Sequence, residues 1–223
     1  MRLPDDSHRH SIFGKTGSGK TVAGLWALEK RSWRKMPWTI IDFKRDTSIA
    51  KIPRLEEIDI TSSSPKKAGL YVTRPLPHET DEVEQYLWSV WSNGNHGLFI
   101  DEGFMIDRFS KALRAILTQG RSLRVPVIAL SQRPSWLSPF LMSESDFLQL
   151  FFMTNPSDIK KMTEWIPYDG NMKQNYSSYY YDVGKGRLDY LLPVPAEDEI
   201  MDRFDRGMAR RIHLFRGIAN NAK

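Results

Sequence analysis

The sequence predicts an α/β fold with a mostly parallel central sheet flanked by helices, followed by an antiparallel hairpin and a last helix. Three observations predict it. A glycine-rich loop, Gly14-Lys15-Thr16-Gly17-Ser18-Gly19-Lys20-Thr21, joins a short apolar strand pattern to a helical one. Apolar runs at 37–43, 97–100, 125–130 and 146–153 have the continuous character of strands buried on both faces. Helical patterns separate these runs, as crossovers between parallel strands require.

The loop fits the pattern G-x-x-x-x-G-K-[ST] at every defined position. Its glycines let successive N–H groups point into one concavity, and the helix N-terminus behind it favours anionic oxygens. ATP with Mg²⁺ is therefore the expected ligand. Lys20 would reach the β- and γ-phosphates, and the Thr21 hydroxyl would bind the metal.

Bulk composition narrows the class without deciding the function. A chain of 223 residues, 40% hydrophobic and 26% charged, suffices for one α/β domain with an ample core. We expect a single ATPase domain over 1–223, with a core at 9–155 and an appended hairpin and helix at 176–220. The absence of cysteine excludes disulfides and thiolate metal sites. No apolar run approaches the ~18 residues that span a bilayer, and residues 1–6 lack a signal-peptide core. The expectation is a soluble protein whose membrane association, if any, runs through a partner. A net charge of +5 permits nucleic-acid binding but does not require it.

Taken in order, 9–13 gives the first strand, and the helix after the loop runs to about Trp33. Arg31, Arg34 and Lys35 at its end would complement the helix dipole. Residues 37–44 read as a second strand whose Asp42 is either a site residue or a solvated strand-end acid. Residues 46–68 are irregular, with a basic turn at Lys66 and Lys67. A strand at 69–73 precedes a helix at 79–92, whose Val83, Tyr86, Leu87 and Val90 share one face.

Gly97-Leu98-Phe99-Ile100-Asp101-Glu102 is the second decisive stretch. An apolar strand ending in Asp-Glu downstream of a phosphate loop matches a Walker B motif. Asp101 would hold Mg²⁺, and Glu102 would orient and polarise the attacking water. A helix at 110–120 leads through Arg121 and Arg124 into a strand at 125–132. That strand ends in Gln132, which is either a turn-capping residue before Arg133-Pro134 or a site residue whose amide can both donate to a phosphate and orient water.

A short helix at 138–145, a strand at 146–153 and a helix opening at Asn155-Pro156 follow. Two strand patterns at 176–183 and 187–192 flank Gly184-Lys185-Gly186, a hairpin signal. Tyr176, Tyr179, Tyr180 and Tyr181 here are either sheet residues or stacking faces for bases. The last helix, 196–219, carries Ile200, Phe204, Met208, Ile212 and Phe215 as an apolar stripe, with acids early and Arg210, Arg211 and Arg216 late.

The combination of Gly14–Thr21, the Ile100-Asp101-Glu102 strand end, and Arg121-Ser122-Leu123-Arg124 leading into Ser131-Gln132-Arg133-Pro134 resembles the FtsK–HerA superfamily of DNA-pumping ATPases. The resemblance covers about residues 9–155 and implies a RecA-like, additional-strand P-loop NTPase. Small size and the C-terminal hairpin look most like the genome-packaging ATPases of tailless, membrane-containing icosahedral phages of the tectivirus type. That likeness implies a homohexameric ring that hydrolyses ATP to pump double-stranded viral DNA into a preformed procapsid. It further implies work in the host cytoplasm or at the packaging vertex, beside portal or membrane-vertex proteins. At a ring boundary a neighbour's arginine can meet the transition state, with Arg121 and Arg124 the candidates and Arg133 third. Lys66, Lys67, Lys160, Lys161 and Lys173 are candidate loop cations for DNA phosphates. Two other readings compete: an ATPase driving phage extrusion or conjugative DNA transfer at a membrane, and a DNA-independent P-loop switch or kinase.

Overall fold

Continuous apolar runs become strands buried along their whole length. The computed structural model describes residues 3–168 and 174–220, with side chains of the last helix described through Ala209. In chain order, β1 (Arg9–Phe13) feeds the glycine loop and α1 (Lys20–Glu29); β2 (Pro37–Asp42) follows, then the short α2 (Thr47–Ala50) and β3 (Glu56–Glu57). Next come β4 (Gly69–Thr73), α3 (Thr80–Asn93), β5 (Gly97–Asp101), α4 (Lys111–Leu123) and β6 (Val127–Ser131). The chain continues through α5 (Phe140–Ser143), β7 (Phe147–Leu150), α6 (Pro156–Thr163), β8 (Ser178–Asp182), β9 (Arg187–Leu191) and α7 (Glu197–Asn220).

Among the described residues the strands form one sheet in the order β3-β4-β2-β5-β6-β1-β7-β8-β9. Pairing is parallel from β3 to β7 and antiparallel at β7–β8 and β8–β9. Register runs Arg9 with Val127, His10 with Phe147, and Asp42 with Asp101. The parallel strands therefore end along one rim, where the loops after β1, β2, β5 and β6 meet. Ligands of open α/β sheets bind beyond that rim.

Alternate residues of each strand supply two cores, one per face. Leu98 and Ile100 of β5, with Val127 and Ala129 of β6, pack under α3 and α4 through Tyr86, Leu87, Leu113, Ile116 and Leu117. Phe99, Ile128 and Leu130 face the other way, against Leu25 and Leu28 of α1 and Ile200, Phe204 and Met208 of α7. The described half of the α7 stripe thus packs on the core, with the Trp33 and Phe204 rings 5.9 Å apart. Ile212, Phe215 and the late arginines lie outside the described side chains.

Three expectations change. First, α1 stops at Glu29 rather than Trp33. Arg31 turns inward to 2% exposure, with its guanidinium 5.8 Å from the Trp38 ring, and Arg34 lies over Trp33 at 4.4 Å. No basic residue occupies the last turn of α1, so Arg31 and Arg34 pack on tryptophan instead of answering the dipole, and Lys35 is exposed. Second, the hairpin extends the central sheet through β7, with Leu148 opposite Tyr181 and Leu150 opposite Tyr179. Third, Lys160 and Lys161 lie on α6, not in a loop, and Lys161 pairs with Glu164 at 2.9 Å. Lys173 lies outside the described residues. Lys66 and Lys67 are exposed ahead of β4, at the rim opposite the strand ends.

Two buried imidazoles link the fold to pH. Burial, then the Arg31 guanidinium, pushes His10 down to about 3. Burial pushes His96, whose Nε2 lies 2.9 Å from Thr39 Oγ1, down to about 4. An unfolded chain protonates these rings near 6.5 while the folded chain does not, so the unfolded state binds more protons below that value. The contribution of these two rings to stability is therefore expected to fall as pH drops from 6.5 toward 4, followed as the denaturant midpoint, and His10→Gln should flatten that fall.

Candidate active site

The first N–H groups of the glycine loop anchor it to the strand ends. Gly14 N–H donates to Ser131 O (3.2 Å) and Lys15 N–H to Phe152 O (3.0 Å), which fixes the loop between β6 and the end of β7. Gly17 and Gly19 take φ of +76° and +95°, values that side chains with a Cβ rarely adopt. A Cβ on Gly14 would lie 2.5 Å from Ser18 Oγ and 2.6 Å from Phe151 Cβ, so only glycine fits there. Gly19 caps α1 without a side-chain hydrogen bond, and the first turn carries no acid. The helix N-terminus is left for an anion. Ser18 Oγ is buried in this concavity with no hydrogen-bond partner.

The rim brings the acid, the amide and the lysine together. Glu102 is fully buried at the tip of β5, in a left-handed conformation (φ 58°, ψ 65°) that costs a non-glycine residue about 1–2 kcal/mol. The turn aims its carboxylate back over the strand ends. Lys20 Nζ lies 3.4 Å from Glu102 Oε1, and Lys44, on the turn after β2, is bonded to the same oxygen. Gln132 N–H donates to Glu102 Oε2 at 3.2 Å, and Thr16 Oγ1 donates to Gln132 Oε1 at 2.6 Å. One chain of polar contacts thus runs from the loop, through Gln132 and Glu102, to Lys20.

Asp101 stands beside Glu102, with 1% of its surface exposed. Its Oδ2 has no hydrogen-bond partner. Burial, then the neighbouring Glu102 charge, raises its carboxyl to about 7. A buried, unpaired carboxylate oxygen is costly unless something cationic satisfies it. Thr21 lies in the first turn of α1 on the same rim. No cluster of three or more His, Cys, Asp or Glu that would hold a metal unaided occurs among the described residues. The donor set instead suits a hard cation shared with phosphate oxygens, as Mg²⁺ is.

Against the curated proteins, the chain is 38% identical to the DNA packaging ATPase P9 of Enterobacteria phage PRD1, covering 95% of this chain and 98% of that one. The chain belongs to the P9 family of packaging ATPases. Its fold is that of the P-loop NTPases, and the chain is an ATPase. Solved structures agree on the fold. The genome packaging NTPase B204 of Sulfolobus turreted icosahedral virus 2, in complex with ATP-gammaS, superposes at a TM-score of 0.67 with 17% identity, over 85% of this chain and 99% of that chain. EssC of Geobacillus thermodenitrificans superposes at 0.66 with 15% identity, over 95% of this chain and 45% of that chain. No family model matches the chain.

The three arginines separate. Arg121 closes α4 and pairs with Asp146, just ahead of β7, and Arg124 caps α4 in a left-handed conformation. Both stand at the starts of β6 and β7, about 16 Å of strand away from the glycine loop of their own chain. Neither can serve that loop in cis. Arg133 lies on the strand-end rim, but it pairs with buried Asp158 at 3.0 Å and stacks on Trp136 at 4.0 Å. Arg124 is exposed and has no ion pair or hydrogen bond from its side chain among the described residues.

Asp42 fits neither expectation for it. It is fully buried, accepts from Asp46 N–H at 3.0 Å, and pairs with Arg74 at 3.2 Å. It therefore shapes the turn that delivers Lys44. Lys44, which bonds Glu102, has no signal in the sequence. A lysine two positions past a strand-end acid carries no motif, and only the parallel register of β2 on β5 sets it against Glu102.

Proposed function

We propose that the chain hydrolyses MgATP to drive double-stranded viral DNA into a preformed procapsid, acting as one ATPase domain within a hexameric ring at a packaging vertex. The observation that carries the reading is the polar chain Thr16–Gln132–Glu102–Lys20, which ties the phosphate loop to two neighbouring strand tips. Lys20 and the loop N–H groups hold the β- and γ-phosphates. Glu102 accepts the proton of the attacking water, whose oxygen attacks the γ-phosphorus in line as the bond to the β–γ bridging oxygen breaks. Gln132 reads whether the γ-phosphate is present and passes that state to Glu102 through its own backbone. Thr21 and Asp101 would hold Mg²⁺, which when bound neutralises charge developing on the phosphate oxygens.

Translocation needs contacts that follow the DNA backbone whatever the base sequence, so binding should weaken steeply with salt. No helix among the described residues is long and apolar enough to cross a membrane. On this reading the chain reaches the vertex through protein partners such as a portal. The test is the ATPase rate with and without linear double-stranded DNA, beside particle size by sedimentation. We expect a ring whose turnover rises with DNA and loses that rise at high salt. A monomer indifferent to DNA would instead support a DNA-independent switch.

A further inference from the structure

We propose that Tyr176 is the stacking face for the nucleobase, on the side of the glycine loop opposite the hydrolytic groups. The inference rests on the phosphate-loop reading above and extends it to the nucleoside. β1 has two neighbours, β6 and β7. Gln132 follows β6, and Glu102 follows β5 beyond it, so the γ-phosphate end of the nucleotide faces that side. The α-phosphate and nucleoside must then leave on the other side, over the ends of β7 and the start of β8.

Aromatic surface lies where the base would arrive. A Cβ on Gly19 would sit 3.1 Å from Cδ1 of Tyr176 and 3.8 Å from Cε1 of Phe151, so the tyrosine ring rests on the outer face of the glycine that opens α1. The same ring is 60% exposed. Nearby, Phe152 is 46% exposed and holds Lys15 Nζ 4.8 Å from its centroid. Tyr179 and Tyr180 are buried in the sheet and Tyr181 is half-buried on β8, whereas Tyr176 is exposed and lies against Gly19 of the loop.

Its backbone is held there. Tyr176 has φ of +60°, a conformation that a bulky residue adopts only under constraint. The constraint is the adjoining turn, where Ser177 N–H donates to Gln174 O at 3.3 Å and the Ser177 hydroxyl bonds to Tyr190 on β9. The backbone that carries the ring is therefore set by this turn before ligand arrives, which limits the entropy lost on stacking.

The experiment measures calorimetric affinities for ATP-gammaS and for inorganic tripolyphosphate, which has phosphates but no base. Wild type, Tyr176→Ala, Tyr176→Phe and Lys20→Ala are compared. Tyr176→Ala should weaken ATP-gammaS about tenfold, leave tripolyphosphate unchanged, and be rescued by Tyr176→Phe. Unchanged ATP-gammaS affinity in Tyr176→Ala overturns the stacking role. Equal losses for both ligands also overturn it, because the ring would then only be propping Gly19. Tripolyphosphate binding that Lys20→Ala leaves intact would instead sink the phosphate-loop reading itself.

Discussion

Glu102→Gln is expected to cut ATP turnover by roughly 10²–10⁴-fold while nucleotide affinity holds, the range that loss of a positioned general base produces. The amide is isosteric, so an Oε atom can still accept from Gln132 N–H and the tip of β5 keeps its shape. What disappears is the negative charge between Lys20 and Lys44 and the capacity to take a proton from water. Removing that charge does not repel a polyphosphate, so binding should survive or tighten. Steady-state turnover and equilibrium binding on the same preparation check both halves. Turnover within tenfold of wild type would move the base elsewhere.

Arg124→Ala should bring a loss of comparable or larger size, up to the ~10³–10⁵ known for arginine fingers in GTPases. Among the three candidate arginines, Arg121 is paired with Asp146 and Arg133 with Asp158, whereas Arg124 is exposed and unpaired. Its place at the starts of the strands rules out service to its own loop but suits a neighbour's loop across a ring boundary. The decisive form of the test is complementation. Arg124→Ala subunits keep intact loops, and Lys20→Ala subunits keep intact fingers. Co-expressed, they should regain turnover that neither shows alone. Full turnover by Arg124→Ala alone would exclude it and return attention to Arg121 and Arg133.

The parts of the site that the sequence displayed are those that depend on local backbone. The loop needs glycine where φ is positive or where a Cβ would collide, and that need writes a spaced pattern at Gly14, Gly17 and Gly19. Asp101, Glu102 and Gln132 announce themselves by ending apolar runs. Asn155 was readable for the same reason: its side chain caps α6, accepting from Ser157 N–H at 3.0 Å ahead of a first-turn proline. Residues whose roles arise from register were silent. Lys44 meets Glu102 only because β2 lies beside β5, and Tyr176 meets Gly19 only because β8 adds to β7. The edge strand β3 is two exposed glutamates, with no alternation to detect. The overrun of α1 has a local cause: Trp33 continues the apolar period, but Lys30 already closes the helix and Arg31 is buried.

The account stands or falls on where the γ-phosphate sits. The most direct measurement is a crystal structure with Mg²⁺ and a non-hydrolysable ATP analogue. It should show the γ-phosphate within hydrogen-bond reach of Lys20 and Gln132, the metal on Thr21 beside Asp101, and a water held by Glu102. A γ-phosphate turned toward the end of β7, away from Glu102 and Gln132, would contradict it.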